Sequence, residues 1–203
     1  MHLKGGVILH KLYFKYGVMG SSKSAQALMT KFNYEQKGFR VLLIKPSIDN
    51  RDDNGSVRMV SSRIGLKSEC IVFNETMDLY KFFLEENKKK KVDVLIIDEA
   101  QFCKEKQIDD CQKISDHIPV LCYGLKTNFK GYLFEGSKRL IEIADSISEI
   151  KSICKCGFKA IMNAKLINGV VVTDGAEIDI GGDEKYEAMC YSCWIEGQKK
   201  KDN

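Results

Sequence analysis

The sequence predicts an α/β fold in which a doubly wound parallel sheet is followed by a small C-terminal lobe. Three observations lead to this prediction. Apolar, β-rich runs alternate with segments of helical periodicity through residues 12–147. A glycine-containing loop joins the first apolar run to the first helical segment, and two close cysteine pairs lie near the end of the chain. We therefore expect a sheet domain over residues 1–151, a lobe over residues 152–195 and a flexible basic tail over residues 196–203.

Four apolar runs predict the strands of the sheet, and each is followed along the chain by a predicted helix. The third and fourth runs are almost unbroken, as expected for strands buried on both faces of a parallel sheet. The predicted strands are Leu12–Tyr16, Val41–Lys45, Val92–Ile97 and Val120–Leu125. The predicted helices are Ser24–Lys37, Met77–Lys89, Glu105–Asp116 and Gly136–Ile147.

Beyond about Lys151 the pattern changes to short β-prone runs separated by turn residues. The pair Asn168-Gly169 lies between two such runs and predicts a two-residue β-hairpin. This change in pattern places the boundary between sheet domain and lobe near Ser152.

The loop from Gly17 to Ser24 differs at one defining position from the Walker A phosphate loop, G-x-x-x-x-G-K-[ST]. Its strand–loop–helix context favours that interpretation, with backbone N–H groups surrounding the phosphates. Lys23 would neutralise phosphate charge, and the Ser24 hydroxyl would reach Mg²⁺. The alternative is a glycine-containing turn that carries a lysine by chance. The loop residues are Gly17, Val18, Met19, Gly20, Ser21, Ser22, Lys23 and Ser24.

Ser22 occupies the position of the second Walker A glycine. If the loop requires a positive φ there, a serine costs on the order of 1–3 kcal/mol. If the backbone is ordinary, Ser22 is tolerated and its hydroxyl could donate to a phosphate. Our hypothesis is an active enzyme with weakened ATP affinity, and the alternative is a catalytically impaired protein that only binds nucleotide.

Two acidic residues, Asp98 and Glu99, close the third apolar run. In a phosphate-loop fold, an acidic residue at this strand end lies beside the loop and orients Mg²⁺, which is the role expected of Asp98. Glu99 would then accept a proton from an attacking hydroxyl. The alternative is a pair of charges that merely ends a strand.

Two cysteine pairs, Cys154-Lys155-Cys156 and Cys190-Tyr191-Ser192-Cys193, offer four thiolates. This arrangement predicts a structural, tetrahedral Zn²⁺ site with no open position for chemistry, although C-x-C is tighter than the usual C-x₂-C. Zinc sites of this kind contribute about 10–16 kcal/mol to folding, so we expect the lobe to need its metal. Disulfides and free thiols are the alternatives. Four scattered cysteines are expected to be reduced thiols: Cys70, Cys103, Cys111 and Cys122.

Composition argues against two classes of protein. A formal net charge of +4 gives no strong electrostatic case for nucleic-acid binding, and the lysine runs 88–91 and 199–201 are typical of solvated ends. The first ten residues are too short in apolar length for a signal peptide, and no apolar window approaches a membrane span. We expect a soluble cytoplasmic protein.

Several motifs in one order carry a resemblance to a known family. They are DEAQF (98–102), CYGLKTNFKGYLF (122–134), the knuckles CKCG and CYSC, and IGGDEKY (180–186). From Leu12 to Cys193 the chain resembles the zinc-containing thymidine kinases, the group with the human cytosolic and enterobacterial enzymes. Residues 34–38 (YEQKG) and 60–66 (VSSRIGL) are most similar to the bacterial branch.

The resemblance implies a P-loop, RecA-like kinase domain and transfer of the ATP γ-phosphate to the 5′-hydroxyl of thymidine or deoxyuridine, a step of nucleotide salvage. Glu99 corresponds to the catalytic base. Asp49 and Arg51 match an Asp-x-Arg that arranges phosphates and Mg²⁺ with Ser24 and Asp98. Besides residues 17–24, the implied ATP-binding positions are Asp98, Glu99, Ala100 and Gln101.

The resemblance also implies a nucleoside pocket and a lasso that closes over it, anchored by the zinc lobe. Backbone groups of the lasso read the base edge. A homotetramer and feedback inhibition by dTTP are implied as well. The pocket residues are Phe102, Leu125, Phe129 and Phe134, and the lasso residues are Glu177, Ile178, Asp179, Ile180, Gly181 and Tyr186.

Simpler interpretations stay open for some of these residues. Leu125 and Phe129 are also compatible with the core, Arg51 with a surface charge, and Gly181-Gly182 with a turn. At the level of the whole chain, a nucleic-acid-binding zinc ribbon is a third class beside the kinase and the nucleotide-binding module. Only Trp194 and a few lysines flank the knuckles, which disfavours that class.

Overall fold

A computed structural model of the chain describes residues 11–49, 57–175 and 186–199. Its centre is a six-stranded, all-parallel sheet with strand order β5-β2-β6-β7-β1-β8. The strands are β1 (Leu12–Tyr16), β2 (Val41–Pro46), β5 (Ile71–Phe73), β6 (Val94–Ile97), β7 (Val120–Gly124) and β8 (Ser146–Glu149). The four strands predicted from sequence are therefore neighbours in the middle of this sheet.

Helices cover both faces of the sheet. One buried cluster combines Phe14 and Leu95 of the strands with residues of the second, third and fourth helices, such as Ile108. On the opposite face Leu28 of the first helix packs against Tyr123. The helices are α1 (Lys23–Glu35), α2 (Leu79–Lys89), α3 (Glu105–Ser115) and α4 (Glu135–Ile143), with a short 3₁₀ helix at Ala100–Phe102. The predicted doubly wound α/β fold is confirmed.

The predicted helix Gly136–Ile147 is wrong at its C-terminal end. Helix α4 ends at Ile143, and strand β8 begins three residues later as a parallel neighbour of β1. Between them the Asp145 carboxylate accepts a hydrogen bond from the backbone N–H of Leu12, at 2.8 Å. This bond holds Asp145 beside β1, at the start of the segment that continues as β8. Strand β7 likewise ends at Gly124, one residue before the predicted end.

Short strands between β2 and α2 were not predicted. Strands β3 (Met59–Ser61) and β4 (Lys67–Glu69) form an antiparallel pair, and β5 joins the edge of the main sheet. Each has only three residues, which is too short for its periodicity to stand out from a loop.

The C-terminal lobe consists of short antiparallel strands and one helix. Strands β9 (Ser152–Ile153) and β10 (Lys159–Ala160) pair, while β11 (Met162–Ile167) lies between β12 (Val170–Val172) and β13 (Tyr186–Met189). The predicted hairpin is present, since Asn168 and Gly169 both have positive φ, 51° and 76°, as a type I′ turn requires. Helix α5 (Tyr191–Lys199) extends into the segment predicted as a flexible tail. No helix in the described ranges is long and apolar enough to cross a membrane.

Candidate functional site

The loop between β1 and α1 folds around the side chain of Lys23. The Gly17 N–H donates to the carbonyl of Gly124 on the neighbouring strand at 3.2 Å, and Ser21 N–H donates to the carbonyl of Val18. The same Val18 carbonyl accepts a hydrogen bond from Lys23 Nζ at 2.8 Å. Lys23 is largely buried, so the loop holds an ammonium group at the carboxyl edge of the sheet.

Ser22 has left-handed backbone angles, φ 67° and ψ 25°. Glycine is favoured in this conformation, and a serine is strained in it. Of the two cases considered for Ser22, the positive φ with its energetic cost is therefore the one present. The Ser22 side chain is exposed and is not packed into the domain. Gly20, two residues earlier, also has positive φ, at 75°.

The Asp98 carboxyl lies at the end of β6 and is 3% exposed. Burial, followed by the charge of Glu99, raises its pKa to about 7, although a hydrogen bond from Ser24 and the charge of Lys23 oppose the shift. Within the described residues one oxygen, Oδ1, is buried without a hydrogen-bond partner. A buried carboxylate oxygen beside a serine hydroxyl is the kind of oxygen donor set that suits Mg²⁺.

Glu99 is held by the neighbouring 3₁₀ helix. Its φ of 53° is left-handed, and Ala100–Phe102 continues directly from it. The side-chain amide of Gln101 donates a hydrogen bond to a carboxylate oxygen of Glu99, while Gln101 Oε1 accepts from the N–H of Leu125 at 2.9 Å. One buried amide therefore joins the candidate catalytic base to the segment that follows β7.

The predicted pocket residues form two aromatic pairs. Phe102 and Phe134 lie edge to face with ring centroids 5.6 Å apart, and Phe129 lies edge to face with Tyr186 at 6.4 Å. Phe129 and Phe134 are buried, whereas Phe102, Leu125 and Tyr186 are half-buried. Half-buried apolar side chains are the ones still available to a ligand.

Asp49 is buried at the end of β2, and its carboxylate lies 3.7 Å from Lys45 Nζ. Lys45 itself is 1% exposed and directly follows Ile44, the β2 residue that pairs with Ile97 of β6. The pair therefore places a buried charge beside the strand that carries Asp98. Other predicted site residues lie outside the described residues: Arg51, Glu177, Ile178, Asp179, Ile180 and Gly181.

The four paired cysteines converge in the lobe. Their Sγ atoms all lie within 4.8 Å of one another, and those of Cys156 and Cys190 are 3.6 Å apart. A tetrahedral site with Zn–S bonds of about 2.3 Å has sulfurs about 3.8 Å apart, so the donor set fits Zn²⁺. Burial disfavours the thiolate of Cys154, but hydrogen bonds from the backbone N–H groups of Cys156 and Cys190 outweigh it and lower the pKa of Cys154 to about 7.

Sequence reasoning missed three polar residues near this site. Lys45 lies in an otherwise apolar, buried strand, where a lysine is unusual and could have indicated a functional residue. Arg63 lies against the phosphate loop, because a Cβ placed on Gly20 would be 3.0 Å from its guanidinium nitrogen. Asn163 is buried in β11, in a run without a recognisable motif.

Comparisons with known proteins agree with this geometry. A family model described as thymidine kinase matches residues 10–194. The thymidine kinase of Enterobacteria phage T4 is 44% identical over 93% of this chain and 97% of its own length. That of Photorhabdus laumondii is 41% identical over 92% of each chain. The Pif1 helicase of Candida albicans aligns with 71% of this chain and 36% of its own at 15% identity and a TM-score of 0.42, a likeness too low to bear on fold or function.

Proposed function

The chain belongs to the thymidine kinase family, and we propose that it transfers the γ-phosphate of ATP to the 5′-hydroxyl of thymidine or deoxyuridine. The family membership makes it a kinase. The observation that supports this specific transfer is the meeting of Lys23, Asp98 and Glu99 at one edge of the sheet, beside two aromatic pairs.

The phosphate side of the reaction is assigned to the loop and the acidic strand end. Backbone N–H groups of the loop 17–24 bind the phosphates, other than those of Gly17, Met19 and Ser21, which donate within the protein. Lys23 neutralises the phosphate charge. The Ser24 hydroxyl and the Asp98 carboxylate would hold the Mg²⁺ of Mg-ATP, and Asp49 and Arg51 would arrange the phosphates. When bound, Mg²⁺ would supply charge neutralisation on the phosphates.

Glu99 is the proposed general base. Its carboxylate takes the proton of the 5′-hydroxyl as that oxygen bonds to the γ-phosphorus, and the bond from phosphorus to the β,γ-bridging oxygen breaks to release ADP. The hydrogen bond that Gln101 donates to one Glu99 carboxylate oxygen fixes the plane of the group. Phosphoryl transfer depends on positioning and charge neutralisation more than on covalent catalysis. Lys23, Asp98 and Glu99 are assigned these two roles.

The nucleoside is assigned to the slot lined by Phe102, Leu125, Phe129 and Phe134. An apolar slot accommodates a thymine ring and its methyl group. Backbone hydrogen bonds from residues 177–181, together with Tyr186, read the base edge. Cytosine is rejected because its exocyclic amine reverses the donor pattern.

The remaining assignments follow the same family. A structural Zn²⁺ held by the four paired cysteines supports a lobe over residues 152–195, which carries the lasso next to a kinase domain over residues 1–151. We assign the enzyme to the cytoplasm as a homotetramer that dTTP inhibits. Gel filtration, zinc analysis and inhibition assays test the oligomeric state, the metal and the inhibitor separately.

Phosphorylation of thymidine by the purified, zinc-loaded protein tests the proposal. We expect ATP-dependent turnover of thymidine, none of deoxycytidine, and a fall of about 10²–10⁴-fold in kcat for Glu99→Gln with ATP binding retained. Binding of ATP without turnover of any pyrimidine nucleoside would instead identify a nucleotide-binding module.

A further inference from the structure

Asn163 uses both ends of its side-chain amide. It is 4% exposed, its Oδ1 accepts a hydrogen bond from the N–H of Met19 at 2.7 Å, and its Nδ2 donates to the carbonyl of Thr127 at 2.9 Å. Both partners are main-chain groups with fixed donor or acceptor character. The orientation of the amide is therefore set by its surroundings, and a residue of another chemical type cannot reproduce it.

The two partners belong to opposite halves of the candidate active site. Met19 is in the phosphate loop, and Thr127 lies between Leu125 and Phe129 of the proposed nucleoside slot. Gly17 and Thr127 line one cleft with Asn163. A side chain from the C-terminal lobe thus ties the ATP side of the site to the nucleoside side.

The bond to Met19 acts on the same peptide unit that holds the candidate phosphate lysine. The carbonyl of that unit belongs to Val18 and accepts from Lys23 Nζ, while its N–H belongs to Met19 and donates to Asn163. Rotation of this peptide would break both bonds together. Asn163 therefore restrains the position of the Lys23 ammonium without touching it.

The lobe supports this peptide from a second direction. The Val18 side chain is buried in a small apolar cluster with Cys154, Ala160 and Cys190, two of which are candidate zinc ligands. The loop is therefore fastened to the lobe by packing at Val18 and by a hydrogen bond at Met19. Changes in how the lobe sits on the domain reach the phosphate loop directly.

We propose that Asn163 is a positioning residue, which sets the phosphate loop and Lys23 relative to the nucleoside segment. The inference rests on the proposed function for its catalytic consequence, but its effect on the loop does not depend on it. Misplacement of reacting groups by about 1 Å costs on the order of 10²-fold in rate, so one amide at this place has a large effect on turnover.

Asn163→Leu tests the inference, because leucine has a similar volume and no hydrogen-bonding group. We expect the dissociation constant of ADP, measured by calorimetry, to rise about tenfold and kcat to fall at least tenfold. The KM for thymidine should rise less than the dissociation constant of ADP, because the aromatic pairs of the slot are kept and only the Thr127 bond is lost on that side. Asn163→Ser, which leaves room for a bridging water, should give intermediate losses and carries the test if the leucine variant does not fold.

Val171→Ala is the matched control. Val171 lies on β12, which makes neither of these hydrogen bonds, and its side chain is buried in the lobe core with Met162 and Trp194. We expect a lower melting temperature with ADP affinity and kcat within about twofold of the wild type. Equal losses in the two variants, or unchanged ADP affinity and kcat in Asn163→Leu, would overturn the inference. A wild-type protein that binds ADP but does not phosphorylate thymidine would refute the proposed function, and the ADP measurements would still decide the role of Asn163.

Discussion

The side-chain amide of Gln101 bridges the Glu99 carboxylate and the backbone N–H of Leu125. Glu99 follows the end of β6, whereas Leu125 follows the end of β7, so the bridge crosses between adjacent parallel strands. Gln101 is 1% exposed, and a buried hydrogen bond of this kind holds its partner in one orientation. The proposed general base is thereby fixed relative to the segment proposed to contact the nucleoside.

Gln101→Met keeps the length of the side chain and removes both hydrogen bonds. We expect kcat to fall about 10- to 100-fold, because the Glu99 carboxylate is released to other rotamers. The KM for ATP should change less than kcat, since the loop around Lys23 is kept and only the implied ATP contact of Gln101 itself is lost. Steady-state kinetics with thymidine and ATP measure both quantities.

The control is Gln107→Met on helix α3. Gln107 is a glutamine of similar burial whose Nε2 donates to the carbonyls of Asn74 and Met77, away from the sheet edge. Its loss should lower the free energy of unfolding and leave kcat unchanged. A similar fall of kcat in both variants would show that Gln101 acts only through stability.

Ser22→Gly removes a side chain from a left-handed backbone position. We expect the free energy of unfolding to rise by about 1 kcal/mol, because relief of the strained φ exceeds the extra entropy of glycine in the unfolded chain. The KM for ATP should fall severalfold, since the loop can then approach the phosphates without a Cβ. Denaturant unfolding and initial rates at several ATP concentrations provide the measurements.

Asn168→Gly provides the comparison, because Asn168 also has positive φ but lies in the lobe hairpin. Asparagine tolerates this conformation better than serine, so its stability gain should be smaller, and the KM for ATP should not move. An unchanged KM in Ser22→Gly would contradict our hypothesis that Ser22 weakens ATP binding.

The central sheet and the cysteine cluster were predictable because their signals are local. Continuous apolar runs identified β6 and β7, and two close cysteine pairs predicted the four-cysteine cluster without any knowledge of the fold. Strand β8 was missed because its four residues are exposed or half-buried and form no apolar run, and its pairing with β1 is a long-range contact. Helix propensity alone predicts that α4 continues through the segment that forms β8.

The polar bridges of the site were not predictable. Asn163 and its partner Met19 are 144 residues apart, and no spacing in the sequence relates them. Lys45 and Asp49 are four residues apart but lie in a strand and the turn after it, where that spacing has no regular meaning. Such pairs depend on which strand ends meet at the sheet edge, and that is a property of the tertiary fold.

Asp98 predicts how the stability of the free protein depends on pH. Its pKa in the folded state, raised to about 7 by burial and then by Glu99, is above the ordinary value of 3.8. Between these values the folded protein binds the proton more strongly than the unfolded chain does. The stabilisation is therefore complete below about pH 4 and is lost as the pH rises through about 7.

The comparison of wild type with Asp98→Asn isolates this contribution from other carboxyl groups. We expect the variant to gain stability relative to the wild type as the pH is raised from 5 to 8, measured by denaturant unfolding at constant ionic strength. Asp93 gives the opposite sign, since a hydrogen bond from Lys91 lowers its pKa. Asp93→Asn should lose a constant amount near neutral pH and less in acid. A pH-independent difference for Asp98→Asn would contradict the raised pKa.

Removal of zinc should weaken nucleotide binding as well as unfold the lobe. Cys156→Ser deletes one of the four sulfur ligands, and we expect zinc content to fall and exchange of amide hydrogens in β9–β13 to accelerate. Because Val18 packs against Cys154 and Cys190, the dissociation constant of ADP should rise about tenfold in the same variant.

Cys70→Ser alters a half-buried cysteine outside the cluster and should leave zinc content, exchange and ADP affinity unchanged. Zinc loss with unaltered ADP affinity would show that the phosphate loop is stable without the lobe, which would contradict the coupling through Val18.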